Sequence, residues 1–154
     1  MASRLSIRKA RLSDLPALIA LYADDDLGKT RETTGPNEIY LAAFEAIDRD
    51  PNHILAVAET DGEIVATLLL SFIPGLSRHG AWRAQIEAMR VVASKRGLGL
   101  GRELLEWARQ QALARGCSLI QLTSDMRRID AHRFYERAGF EPTHLGFKMV
   151  IEET

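Results

Sequence analysis

The chain is predicted to fold as a mixed α/β sandwich, a central and mostly antiparallel twisted sheet of 6–7 strands with about four helices, forming one domain over residues 1–154. Three observations predict it. Apolar runs of strand length recur at 5–11, 53–60, 63–72, 81–92, 117–123 and 145–151. Segments with helical apolar spacing separate them at 14–25, 38–50, 101–115 and 131–138. The order puts an antiparallel hairpin first and a strand–helix–strand unit at 81–123, for which a right-handed crossover is expected. A length of 154 residues suits one domain.

Each element has a local reason. LSIRKAR (5–11) alternates as a half-buried strand does. Ser13 is a candidate cap for the first helix, Pro16 sits in its first turn, and Leu15, Leu18, Ile19 and Tyr22 share a side. DDDLGKTRETTGPNE (24–38) is polar and turn-rich, a long loop of the kind that often carries function. Ile39, Ala42, Ala43 and Ala46 mark the second helix. HILAVAET and EIVATLLLSF meet at Asp61–Gly62, a two-residue hairpin signal. In the helix from Gly101 to Arg115, Leu104, Ala108 and Ala112 form one row, flanked by Leu105 and Trp107. Gly116 is placed to end it. Asp130 is a candidate cap for AHRFYERA, which Gly139 ends, and LGFKMVI (145–151) closes the chain as a strand.

Composition removes several function classes. The net charge of -1 gives no electrostatic case for nucleic acid or a membrane surface. The apolar run in EIVATLLLSFIPG is too short to span a bilayer, and MASRLSIRK lacks the apolar core of a signal peptide. A cytoplasmic protein is expected. One cysteine, Cys117, excludes an internal disulfide, and the four histidines show no metal-ligand spacing, so no metal is expected.

RGLGLG (96–101) stands between the 81–92 strand and the helix after it. Glycines at 97, 99 and 101 fit neither G-x-G-x-x-G nor G-x-x-x-x-G-K-[ST]. Three glycines in five residues still let backbone amides approach a ligand, and the open amides of the helix start lie next to them. Arg96 and Arg102 flank the turn with positive charge. An anion site and a plain strand-to-helix turn both fit.

Arg96, Gly99 and Gly101 after a strand, as R-x-x-G-x-G, resemble the acyl-CoA pyrophosphate loop of the GNAT superfamily of N-acetyltransferases. DAHRFYERAGF (130–140) resembles that family's A-x-x-F-Y-E-x-x-G-F segment, and IRKARLSDLPALIALY resembles its first strand and helix. The 125–149 stretch, DMRRIDAHRFYERAGFEPTHLGFKM, is most similar to a bacterial small-amine subgroup that includes aminoalkylphosphonate acetyltransferases. The resemblance implies acetyl-CoA as co-substrate and a homodimer. Arg96, Gly97, Leu98, Gly99, Leu100, Gly101 and Arg102 would hold the pyrophosphate. The 85–91 strand would splay from the strand beginning at 118. The pantetheine arm would pair with the backbone of Met89 and Val91, and the Met89 amide would polarise the thioester carbonyl. Tyr135 would protonate the leaving thiolate. Many members carry Asn where this chain has Arg128, which leaves Arg127 or Arg128 as candidates to face the cofactor phosphates.

Acetyl transfer needs an unprotonated amine, and an alkyl ammonium has a pKa of about 10.4, so something must take a proton. Glu87 is two residues before Met89, so its side chain is expected to share a strand face with Met89. It is the first candidate base; His144 and water are the others. Glu87 also reads as an exposed strand carboxylate, and Tyr135 as a packed aromatic beside Phe134. His132 is spaced to pair with Glu136. His53 and His79 are isolated in the sequence. Asp24, Asp25 and Asp26 would make an acidic rim or a solvated charge run. Cys117 reads as a small buried apolar residue. The expected activity is N-acetyl transfer to a small primary amine by direct attack in a ternary complex. The alternatives are a protein or peptide N-acetyltransferase and a non-catalytic acyl-CoA-binding module.

Overall fold

A computed structural model describes residues 5–24, 32 and 37–152. The chain divides after Leu122 into two compact units, Met1–Leu122 and Thr123–Thr154.

The first unit is built on one sheet. β1 (Ser6–Lys9), β2 (His53–Thr60), β3 (Glu63–Ile73), β4 (Trp82–Val91) and β5 (Cys117–Leu122) lie side by side in that order. Neighbours are antiparallel except β4 and β5, which are parallel. Among the described residues the sheet therefore has five strands rather than 6–7. The missing one is 145–151, where no strand is assigned. Its alternation meets the side-chain requirement of a strand, but a strand also needs a neighbour for its N–H and C=O groups, and alternation carries no information about that.

Five helices occur among the described residues: α1 (Leu15–Ala23), α2 (Glu38–Arg49), α3 (Ser77–Gly80), α4 (Leu100–Ala114) and, in the second unit, α5 (Ile129–Arg137). The one beyond the expected four is α3, a single turn in which Arg78 and His79 are left-handed (φ 55° and 59°). Caps differ from expectation at two helices. Asp14, after a 3₁₀ turn at Leu12–Asp14, precedes α1 in place of Ser13, and Arg128 precedes α5 while Asp130 lies inside its first turn. Asn37 caps α2, its side chain accepting from the Ile39 and Tyr40 amides. The Asp61–Gly62 hairpin turn forms with both residues left-handed (φ 52° and 77°), the geometry of a type I′ turn.

The pleat sorts the sheet into two buried faces. Leu55 and Val57 on β2 pack with Leu15, Leu18 and Ile19 of α1, Phe44 of α2 and Leu69 of β3. The alternate set, including Ala56, Leu68, Leu70, Ala84 and Ile86, is also buried. It meets α4, which packs on β3, β4 and β5 with Leu104, Leu105, Ala108 and Ala112 buried. A β3 strand buried on both faces explains its run of apolar residues.

β1 is tied to α1 by charge. Arg8 grips Asp14 with two hydrogen bonds of 2.7 and 3.0 Å and also reaches Glu59. Asp14 takes the Arg11 amide as well, at 2.7 Å. The Arg8 hydrogen bonds hold the Asp14 carboxyl below its usual range against the opposing effect of burial. Asp14→Asn is expected to cost about 2 kcal/mol in urea unfolding at neutral pH, the scale of hydrogen bonds to a charged partner. A carboxyl whose native value is depressed stabilises fully above its unfolded value of about 3.9, and that contribution is lost as pH falls through the native value. The gap between wild type and variant should therefore close on acidification.

One irregularity shapes the centre of β4. Leu69 pairs with Glu87 and Thr67 with Arg90, so Leu68 alone faces Ala88 and Met89. Ala88 is left-handed, at φ 50°. This is a β-bulge, and it resets the alternation of the strand. Glu87 therefore shares its face with Gln85 and Arg90, whose partners Ser71 and Thr67 lie on the Leu69 face. The simple i, i+2 argument that joined Glu87 to Met89 does not survive the bulge.

Candidate functional site

Gly97 and Gly99 are both left-handed (φ 81° and 83°), and a Cβ at either would meet nothing within 4 Å. Glycine is needed there for conformation, and the space beside it is open. Gly99 is the residue before α4. Backbone bonding in α4 begins with the Glu103 amide to the Gly99 carbonyl at 3.2 Å. The amides of Leu100, Gly101 and Arg102 therefore have no intrahelical acceptor, and the positive end of the helix dipole adds to them. Leu98 is 66% exposed, and Arg102 is exposed beside it. Arg96 is less free than its position in the sequence implied. Its Nε donates to the Val91 carbonyl at 3.1 Å and its Nη2 to the Asp24 carbonyl at 3.3 Å. That second bond spans 72 residues, which no local motif announces. The neighbouring Asp25 and Asp26 lie outside the described residues.

The loop stands where two strands part. Parallel pairing runs only from Trp82 and Cys117 to Ile86 and Leu122. β4 then continues to Val91 bonded to β3 alone. Glu87, Met89 and Val91 all lie on this stretch of β4, beyond the residues paired with β5. Glu87 is exposed, and Met89 and Val91 are half-buried.

A hydrogen-bonded row leads to Glu87. Gln121 Nε2 donates to Gln85 Oε1 at 2.9 Å, and Gln85 Nε2 donates to Glu87 Oε1 at 2.8 Å. The Gln85 amide is thus oriented from both ends. Further along the same face, His53 Nδ1 and Ser71 Oγ share a hydrogen bond of 2.7 Å, and His53 Nε2 lies 3.3 Å from Asp50. His53, isolated in the sequence, is joined to a residue 18 positions away. Tyr22, packed on this face, is held above its usual phenol range by burial, against its hydrogen bond with Thr67.

The second unit carries the remaining candidates. Tyr135 is half-buried on α5, edge-on to Phe134 (ring centroids 5.3 Å) and to Phe140 (5.9 Å). Arg127 is bound to Asp125 through Nε and Nη2, each at 2.9 Å, and holds that carboxyl well below the usual carboxylate range. His132 does not pair with Glu136 as its spacing suggested; its Nε2 donates to the Asp125 carbonyl at 2.7 Å. His144 Nδ1 meets Thr143 Oγ1 at 2.6 Å.

An open glycine turn feeding free helix amides, set where a parallel pair separates, is the arrangement described above for binding an acyl-CoA. Residues 15–140 match the family profile described as Acetyltransferase (GNAT) family. The chain belongs to the GNAT acetyltransferase family. It is therefore an acetyltransferase-family enzyme, and its relatives are named accordingly. It is 36% identical over 108 residues to the aminoalkylphosphonate N-acetyltransferase of Salmonella typhimurium, covering 70% of each chain. It is 28% identical over 148 residues to the L-methionine sulfoximine/L-methionine sulfone acetyltransferase of Pseudomonas paraeruginosa, covering 88% of this chain and 80% of that one. A solved chain from Bacillus halodurans C-125, described as a transcriptional regulator, is 43% identical with a TM-score of 0.93, over 96% of this chain and 100% of that one. Among the described residues of this GNAT chain no helix is long and apolar enough to cross a membrane. No three His, Cys, Asp or Glu residues gather there as metal ligands would.

Proposed function

We propose that the protein, acting as one acetyltransferase domain and as a homodimer in the cytoplasm, transfers acetyl from acetyl-CoA to the primary amine of a small molecule. The observation that carries this reading is the Gly97–Arg102 turn with its unbonded amides, placed where β4 leaves β5. In this reading Arg96 to Arg102 hold the pyrophosphate, with Gly97, Leu98, Gly99, Leu100 and Gly101 supplying backbone. The pantetheine pairs with β4 at Met89 and Val91, beyond the residues that pair with β5. Both relatives act, by their names, on small molecules, which supports a small acceptor.

The reaction proceeds by direct attack. The amine nitrogen adds to the thioester carbonyl, whose developing negative charge the Met89 amide stabilises. The C–S bond then breaks. Glu87 takes the proton that the amine must lose, and Tyr135 gives a proton to the departing thiolate. Tyrosine suits that role because a phenol of pKa about 10 keeps its proton at neutral pH.

The first test is a panel of amines, aminoalkylphosphonates and amino acids among them, incubated with acetyl-CoA and followed by thiol release and product mass. Acetylated amine from at least one small member is expected. Thioester hydrolysis without any acetylated amine would sink the reading.

Gly99→Ala tests the turn. A left-handed alanine costs about 1–2 kcal/mol, and its methyl enters the open space beside the amides. Acetyl-CoA affinity is expected to fall about tenfold, near 1.4 kcal/mol. An unchanged dissociation constant by calorimetry would take the turn out of cofactor binding.

A further inference from the structure

Glu87 is exposed on β4, and an exposed glutamate has several rotatable bonds to arrest before it can meet an amine in one fixed geometry. One of its oxygens is already held. Gln85 Nε2 donates to Glu87 Oε1 at 2.8 Å, a bond that leaves Oε2 for an incoming group. Gln85 is set in turn by Gln121 on β5, whose Nε2 donates to Gln85 Oε1 at 2.9 Å. With Gln121 as donor, the direction is forced. A turned-over Gln85 would set its oxygen against the Glu87 carboxylate and its NH₂ against the Gln121 NH₂, and would lose both bonds. Gln85 and Gln121 are register partners, one pair before Ile86 and Leu122, where the parallel pairing stops. Both are half-buried, which shields their bond from water more than the Glu87 end.

We propose that Gln121 and Gln85 are positioning residues for acetyl transfer. Gln121 fixes which end of the Gln85 amide faces Glu87, and Gln85 holds the carboxylate with one oxygen bound and the other open to the acceptor. This rests on Glu87 as the base, as proposed above. A neutral donor suits the place. A lysine or arginine there would hold the carboxylate too, but its charge would repel an arriving ammonium. The location suits it as well, since the link lies just before β4 and β5 part, next to the stretch that carries Glu87 and Met89. The competing role is a plain tie between two strands. A tie that is cut loosens the region as a whole, acetyl-CoA binding included. A positioning link that is cut acts on turnover, and only while Glu87 is there to be positioned.

A double-mutant cycle on the full chain separates the two roles. Turnover is read by thiol release at saturating acetyl-CoA with an amine from the panel above, and acetyl-CoA affinity by calorimetry. Gln121→Leu and Gln85→Leu are each expected to lower turnover about tenfold, the scale of one hydrogen bond to an ionised group. The acetyl-CoA dissociation constant should stay within about twofold of wild type. In the Glu87→Gln background the same substitutions should change the residual turnover by less than about twofold. Leucine is close to glutamine in size, and the two sites give two routes should one variant fail to fold. Equal losses with and without Glu87, full turnover in both leucine variants, or an acetyl-CoA affinity that falls along with turnover would each overturn the proposal and leave Glu87 as the base. Wild-type turnover in Glu87→Gln alone, or no accepted amine, would instead remove the base and this proposal with it.

Discussion

Glu87→Gln is expected to lower turnover about 10²–10³-fold, the usual range for losing a positioned proton acceptor, and to leave acetyl-CoA affinity nearly unchanged. The substitution keeps size and shape. Gln85 Nε2 can still donate to the retained side-chain oxygen, as it does to Glu87 Oε1 at 2.8 Å. What disappears is the capacity to take a proton from an ammonium or its water. The residue stands on the stretch of β4 that β5 does not pair with, and it is exposed to an incoming amine. Turnover by thiol release and affinity by calorimetry separate the two effects. A loss of less than about threefold would pass the role to His144 or to water.

Tyr135→Phe is the second large effect, about 10²-fold on turnover at saturating acetyl-CoA, again the scale of one general acid. The ring contacts with Phe134 and Phe140 use the aromatic body and persist in the variant, so folding is not the cause of the loss. The expected signature is chemical. A donor thioester whose thiol is more acidic needs less protonation on departure, so the phenylalanine enzyme should recover most of its rate with such a donor. A uniform deficit across donors would make Tyr135 a packing residue.

The fold was legible where its causes are local. Asp61–Gly62 names its own turn, the Leu104–Ala108–Ala112 row names a helix face, and Gly116 ends that helix in the left-handed conformation (φ 79°). The turn before α4 was legible for the same reason, since Gly97 and Gly99 are both left-handed. What escaped depends on partners far along the chain. The bulge at Ala88 lacks a turn residue, because a left-handed alanine is held by the pairing around it. Its effect on which residues share a face with Glu87 followed from that. His53 meets Ser71 and Arg96 meets Asp24 only once the sheet has assembled. The 145–151 run has the right alternation for a strand, but no sequence rule supplies the edge it needs.

Calorimetric titration of the full chain with acetyl-CoA, CoA, NAD and ATP tests the central claim most directly. The account predicts saturable binding of acetyl-CoA and CoA with a dissociation constant roughly in the micromolar range, and much weaker binding of NAD and ATP. Tighter binding of NAD or ATP than of acetyl-CoA would contradict it.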